Sequence, residues 1–149
     1  VLAAAGVAHA LHPYRVSGTA GYGKEAAAAL GVDEAQMGKT LVARVDELLV
    51  LAVVPVSSSL DLKALAAAVG GRRASMAEPA AATRATGYVT GGISPLGTRS
   101  ALPVVVDAAL AALPVVFVSA GRRGLQVSLA AADLVALTGA ATAAIARSR

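Results

Sequence analysis

The sequence predicts an α+β fold built on a mixed or mainly antiparallel sheet, and three observations carry that expectation. Strand-forming runs come in hairpin-like pairs, the clearest at 40–45 and 48–56 on either side of Asp46-Glu47. Helical stretches stand singly among the strands, without the strict alternation of a parallel βαβ sheet. Hydrophobic residues make up 56% of the chain and aromatics only 3%, so the core has to be assembled from Val, Leu and Ala.

Taken in order, residues 1–8 read as the end of a helix, 10–16 as a short strand and 17–23 as a glycine-containing loop. Strong helix formers fill 24–30, and Gly31 supplies the stop. After the hairpin, whose second strand ends at Pro55 or lies at an edge, Ser59 or Asp61 caps a helix running to Val69, closed by Gly70-Gly71. A short strand is expected at 73–76 and one helical turn at 79–83, with Glu78 at its positive end. Residues 87–90 lead into a glycine-rich loop at 91–97. Strands follow at 104–107, 115–119 and 125–129, and a helix at 130–137 stops at Gly139.

The length, 149 residues, fits one domain spanning 1–149. No Pro/Ser-rich linker, charge block or solenoid repeat divides it. Mean hydropathy is +0.68, which raises the question of a membrane. The longest uncharged stretches, 108–121 and 134–146, fall short of the roughly 18 apolar residues of a spanning helix. Val1-Leu2-Ala3 carries no basic region of a signal peptide, so none is expected, and the sequence does not begin with Met. A cytoplasmic protein with no membrane partner is expected. Without cysteine, the chain has no disulfide, thiolate nucleophile or cysteine-based zinc site. The net charge of +4 suits a phosphate-bearing partner, yet it is no larger than ordinary surface charge.

Several motifs imitate known chemistry and break at a mechanistic position. The run Gly18-Thr19-Ala20-Gly21-Tyr22-Gly23-Lys24 has P-loop spacing, but Glu25 stands where Ser or Thr would hold magnesium. Gly38-Lys39-Thr40 has the right ending, but Asp33 replaces the upstream Gly and Thr40 opens a strand instead of a helix. Gly92-Ile93-Ser94-Pro95-Leu96-Gly97 departs from a nucleophile elbow because its second Gly comes one residue late and Pro95 has no N–H for an oxyanion hole. His9 and His12 point to opposite faces of their strand and read as structural. No metal or cofactor is expected.

Two features stay open on the residues alone. The 91–97 loop can present N–H groups to a carbonyl, since glycine permits close backbone approach and Pro95 stiffens the chain; it reads equally as a tight turn between strands. Lys39, ahead of an apolar strand, reads as a site residue or as a lysine that snorkels to water.

Read together, the motifs resemble the YbaK/EbsC family of prolyl-tRNA editing proteins. The carrying segments are Gly38-Lys39-Thr40-Leu41, Leu60-Asp61-Leu62-Lys63, Met76-Ala77-Glu78-Pro79, the long run from Thr86 to Gly97, Val118-Ser119-Ala120-Gly121-Arg122-Arg123-Gly124-Leu125, and Ala132-Asp133-Leu134. They cover nearly the whole chain in family order. The resemblance implies a mixed, partly barrel-like sheet flanked by helices, and hydrolysis of the ester that joins an amino acid to the 3′ end of tRNA. It makes Lys39 the key active-site residue, with Gly91, Gly92 and Ser94 as the other catalytic wall. Tyr14, Tyr22, Thr40, Ile93 and Pro95 would bind substrate. Lys24 replaces an acidic residue often found after the aromatic-Gly pair, and Gln126 stands where some relatives have Asp, which bears on substrate choice.

The implied partner is misacylated tRNA(Pro), with prolyl-tRNA synthetase as a second. Cys-tRNA(Pro) is the expected substrate; an Ala-tRNA(Pro) deacylase of the same fold and a non-catalytic tRNA- or synthetase-binding module are the alternatives. Because an aminoacyl ester is already activated, positioning and backbone dipoles can drive its hydrolysis without a protein nucleophile. Lys39 would hold the terminal ribose or phosphate, N–H groups of the 91–94 segment would face the ester carbonyl, and water or the substrate's own thiol would attack.

Overall fold

The computed structural model describes residues 6–15, 22–89 and 91–148. In chain order the elements are β1 (His9–Pro13), α1 (Tyr22–Leu30), β2 (Gly38–Val45), β3 (Leu48–Pro55), β4 (Ser58–Leu60), α2 (Leu62–Ala68), β5 (Ala74–Met76), α3 (Pro79–Thr86), β6 (Val104–Asp107), α4 (Ala108–Ala111), β7 (Val115–Arg122), β8 (Leu125–Ala130), α5 (Ala131–Thr138), β9 (Ala141–Ala143) and β10 (Ala146–Ser148). The fold is α+β. Among the described residues no helix is long and apolar enough to cross a membrane.

The organising unit is the β2–β3 hairpin, in unbroken register from Gly38↔Pro55 to Val45↔Leu48. Its turn is fixed by Asp46, which takes a left-handed φ of 53°. The Asp46 carboxylate accepts the N–H groups of Arg72 and Arg73, so one side chain ties the turn to the segment entering β5. Around the hairpin lies a five-stranded mixed sheet in the order β5-β2-β3-β6-β9. Pairing is antiparallel from β5 to β3 and parallel from β3 through β6 to β9. A second, antiparallel sheet has the order β1-β8-β7, and β10 pairs with β4. The two larger sheets meet along one edge, where Met37 bridges Phe117 and the Gln36 side chain donates to the Val115 carbonyl. That contact gives the fold its partly barrel-like character without closing a barrel.

Both faces of β3 are covered, so its sequence is a continuous apolar run and not an alternating one. One face, with Val42, Leu51, Val53 and Val106, packs on Val116, Val118, Val127 and Leu129 of the second sheet and on Leu134 of α5. The opposite face, with Ala43, Val50, Ala52 and Val54, packs on Leu65 and Ala66 of α2 and on Ile145. A smaller cluster of Ala26, Ala27, Met37 and Val56 seats α1.

Most expected elements form close to their expected bounds, and the departures have local causes. The helix at 79–83 runs on to Thr86, whose hydroxyl donates to the Ala82 carbonyl, and it ends at Gly87 with a left-handed φ of 80°. Of the two candidate caps for α2 it is Asp61 that accepts the Ala64 N–H, while Ser59 lies in β4. The short elements α4, β4, β9 and β10 had no counterpart in the expectations. Of the helix end expected at 1–8, only 6–8 are described, and they are not helical. Of the loop at 17–23, residues 22–23 already belong to α1; the rest lies outside the described residues, as does most of the first P-loop-like run.

Candidate active site

β2 has an uncovered edge, and the candidate site forms against it. β3 lies along the whole of β2 on one side, but β5 covers only Ala43–Val45 on the other. Between the Met37–Phe117 bridge and the Ala77 N–H that reaches the Val42 carbonyl at 3.0 Å, residues 38–41 have no ladder partner on that side among the described residues. A cavity of about 370 Å³ occupies this gap, a volume within the range of small-molecule sites.

Each wall comes from a different element. Met37 through Val42 form the floor, Met76, Ala77, Pro79 and Ala82 one side, and Ser119 and Gln126 of the β7–β8 pair the other. Gly91 and Ile93 close it from the glycine-rich loop, with Tyr14, Gly23, Lys24 and Val56 at the remaining side. Gly38 permits the floor to lie this close to the core: a Cβ there would stand 2.8 Å from Val53 Cγ1 and 3.2 Å from Leu110 Cδ1.

Of the residues expected at the site, the structure brings Lys39, Thr40, Tyr14, Gly91 and Ile93 to one cavity. It does not bring Gly92, Ser94 or Pro95 to the wall. Gly92 is buried, its N–H donates to the Val89 carbonyl at 3.0 Å, and a Cβ there would stand 2.9 Å from Arg122 Cα. Its place is to let the loop lie against the β7–β8 turn. Ser94 is 2% exposed, and its hydroxyl accepts the Leu96 N–H at 3.1 Å, so it folds the loop on itself. Pro95 is buried beside it. Tyr22 opens α1, and its side chain lies outside the described set. His9 Nδ1 donates to the Val7 carbonyl and His12 Nε2 shares a hydrogen bond with the Ser128 hydroxyl; neither lines the cavity.

The loop is held from outside the cavity by Tyr88. Its hydroxyl donates to the Leu96 carbonyl, its N–H donates to Thr86 Oγ1 at 3.1 Å, and burial pushes its phenol pKa up. Arg44 pairs with Glu78 at 3.3 Å where β2 meets the start of α3. The Glu78 carboxyl is held below its usual range, first by its own backbone N–H and then by Arg44.

Sequence reasoning left Gln126, Ser119 and Met37 out of the site. Gln126 is the most informative of them. It is 6% exposed, and its Oε1 is buried with no hydrogen-bond partner, as is Oγ1 of Thr40. Both residues line the cavity. A buried polar atom without a partner carries a desolvation cost of about 1–3 kcal/mol, so two of them on one cavity mark a place that a polar ligand would satisfy. The only hint in the sequence was the position of Gln126, where some relatives have Asp.

Comparison with known proteins shows the family and the fold. Residues 18–137 match the model of the aminoacyl-tRNA editing domain. The chain is 35% identical over 113 residues to EbsC of Enterococcus faecalis, a candidate Cys-tRNA(Pro)/Cys-tRNA(Cys) deacylase, covering 75% of this chain and 69% of that protein. Among solved structures, a candidate trans-editing enzyme for prolyl tRNA synthetase superposes with a TM-score of 0.83 at 29% identity, over 93% of this chain and 87% of the other. The hypothetical protein APE2540 superposes at 0.87 with 26% identity, over 98% and 96%. The chain therefore belongs to the aminoacyl-tRNA editing domain family.

Proposed function

We propose that this protein removes a wrongly attached amino acid from tRNA(Pro) in trans, with Cys-tRNA(Pro) as its principal substrate and Lys39 as the residue that holds the acceptor end. The observation that carries this reading is the convergence of Lys39, Gly91, Ile93 and two unpartnered buried oxygens on one cavity. Family membership and the deacylase name of the Enterococcus relative support the reaction class.

The chemistry needs few parts. The Lys39 ammonium attracts the ribose oxygens or the terminal phosphate as a point charge. The unpartnered Thr40 and Gln126 oxygens accept from the α-ammonium of the aminoacyl group, which brings three donors. The wall of Met37, Leu41, Val42, Ala82 and Ile93 receives a small side chain. Backbone N–H groups at Gly91 and Ile93 face the ester carbonyl and stabilise the oxyanion that forms there. Water adds to the carbonyl carbon, the bond to the ribose oxygen breaks, and that oxygen takes up a proton to restore the hydroxyl. With cysteine attached, the substrate thiolate can attack in place of water and leave as a cyclic thioester. No cysteine exists in the chain and no histidine lines the cavity, which fits catalysis by positioning. Gly92, whose N–H is committed to Val89, acts through the loop's placement.

A panel of Cys-, Ala- and Pro-tRNA(Pro), assayed for deacylation with and without prolyl-tRNA synthetase, tests this. Rapid loss of Cys-tRNA(Pro) with Pro-tRNA(Pro) spared is expected. Preference for Ala-tRNA(Pro) would assign the alanine enzyme, and tight binding of all three without hydrolysis would make the protein a binding module.

A further inference from the structure

The charges of this chain are partitioned in a way the cavity does not explain. Between Pro79 and Ala132 the sole carboxylate is Asp107. That group is 3% exposed and occupied, accepting N–H groups of Ala109, Ile145 and Ala146. The same stretch carries Arg84, Arg99, Arg122 and Arg123, all of them exposed. Outside that stretch Arg44 pairs with Glu78, Arg147 pairs with Asp61, and the backbone N–H groups of Arg72 and Arg73 donate to Asp46.

Arg99 and the Arg122-Arg123 turn both lie against the segment that carries the glycine-rich loop. The stem of Arg99 packs on Gly87, where a Cβ would lie 3.6 Å from Arg99 Cβ, and its N–H donates to the Thr86 carbonyl at 3.0 Å. The Tyr88 ring comes next, within 3.0 Å of a Cβ built at Gly121. The backbone of Arg122 and Arg123 follows, 2.9–3.1 Å from a Cβ built at Gly92. Arg99, Tyr88 and the Arg122-Arg123 turn thus form a continuous rim, and the loop they brace places Gly91 and Ile93 on the cavity.

We propose that Arg99 and Arg122 form a phosphate-binding rim that takes the sugar-phosphate backbone of the tRNA acceptor end leading into the cavity. This deepens the editing reading and rests on it for the identity of the RNA. Arginine suits the task because its planar fork can meet phosphate oxygens in pairs. Phosphate contacts position a nucleic acid without reading its sequence. The rim would therefore aim the 3′ end at Lys39 and leave discrimination to the cavity.

The test is the salt dependence of binding of deacylated tRNA(Pro) to the wild-type chain and to the Arg99→Gln/Arg122→Gln double variant. Lys63→Gln, on α2 and outside the rim, is the control. Loss of two phosphate contacts should lower the slope of log affinity against log salt by about 1.4–1.8, with the control at the wild-type value. A slope unchanged in the double variant would overturn the rim. A second arm uses cysteinyl-adenosine, an ester without phosphates. The double variant should hydrolyse it as the wild type does while its KM for Cys-tRNA(Pro) rises. Equal losses on both esters would also overturn the proposal, because they would mean that the arginines only support the loop. If the wild type hydrolyses neither ester, the editing reading fails, and the binding arm still decides the rim.

Discussion

At the scale of single residues, the site separates side chains that stabilise the fold from those held at a cost. Gln126 belongs to the second group, since its buried oxygen has no partner. Replacing it with Leu removes that unsatisfied acceptor and keeps apolar bulk. We expect Gln126→Leu to unfold at equal or higher denaturant concentration than the wild type, by up to about 1–2 kcal/mol, while deacylation falls. Chemical denaturation and a deacylation assay on the same preparation check this, and a variant that is both less stable and fully active would contradict it. Lys39, Thr40 and Gly91, which line the cavity, stood out through the family resemblance, because they lie in contiguous motifs; on the residues alone Lys39 and the loop were open. Ser94 and Gly92 were legible only as members of a loop. Which way Ser94 faces depends on its bond to Leu96, and the role of Gly92 depends on the Arg122 backbone arriving from about thirty residues away. Gln126 stayed hidden because nothing local distinguishes a partnerless glutamine.

At the scale of elements, two small devices hold the parts in place. Asp107 closes β6, caps α4 through Ala109 and receives the N–H groups of Ile145 and Ala146, joining the C-terminal segment to the central sheet. Asp107→Ala leaves those donors without an acceptor and should cost about 2–4 kcal/mol in unfolding free energy, measurable by urea titration. Tyr88 braces the loop against α3. Its phenol has a raised pKa because it is partly buried, so the phenolate is favoured in the unfolded chain. The stability it contributes is whole below the ordinary tyrosine value near 10 and is lost as pH rises through the higher folded value. Melting followed from pH 8 to 11 should show an alkaline decline that is smaller in Tyr88→Phe; identical profiles would contradict this. The long hairpin and α5 were legible from β-branched runs and glycine stops. The elements β4, β9 and β10 have three residues each, too few for periodicity, and they exist because the tail returns to pair with β4 and β6. The one-turn α4 was missed for the same reason.

At the scale of the whole molecule, the cavity is a product of mismatch in strand length. The eight residues of β2 face only three in β5, and the uncovered remainder receives the β7–β8 pair, α3 and the loop from three distant parts of the chain. That arrangement explains why the fold class could be read from the sequence while the site's full membership could not. Absence of cysteine narrowed the chemistry, and the family motifs supplied the substrate class. The measurement that bears most directly on the proposed function is single-turnover deacylation of Cys-tRNA(Pro) by the wild-type chain and by Lys39→Ala, with binding of deacylated tRNA(Pro) followed in parallel. We expect the wild type to release cysteine rapidly and the variant to be slower by roughly 100-fold or more, as for loss of a group that positions the reacting ester, while both remain folded. A Lys39→Ala protein that deacylates at near the wild-type rate would contradict the assignment of this cavity as the active site.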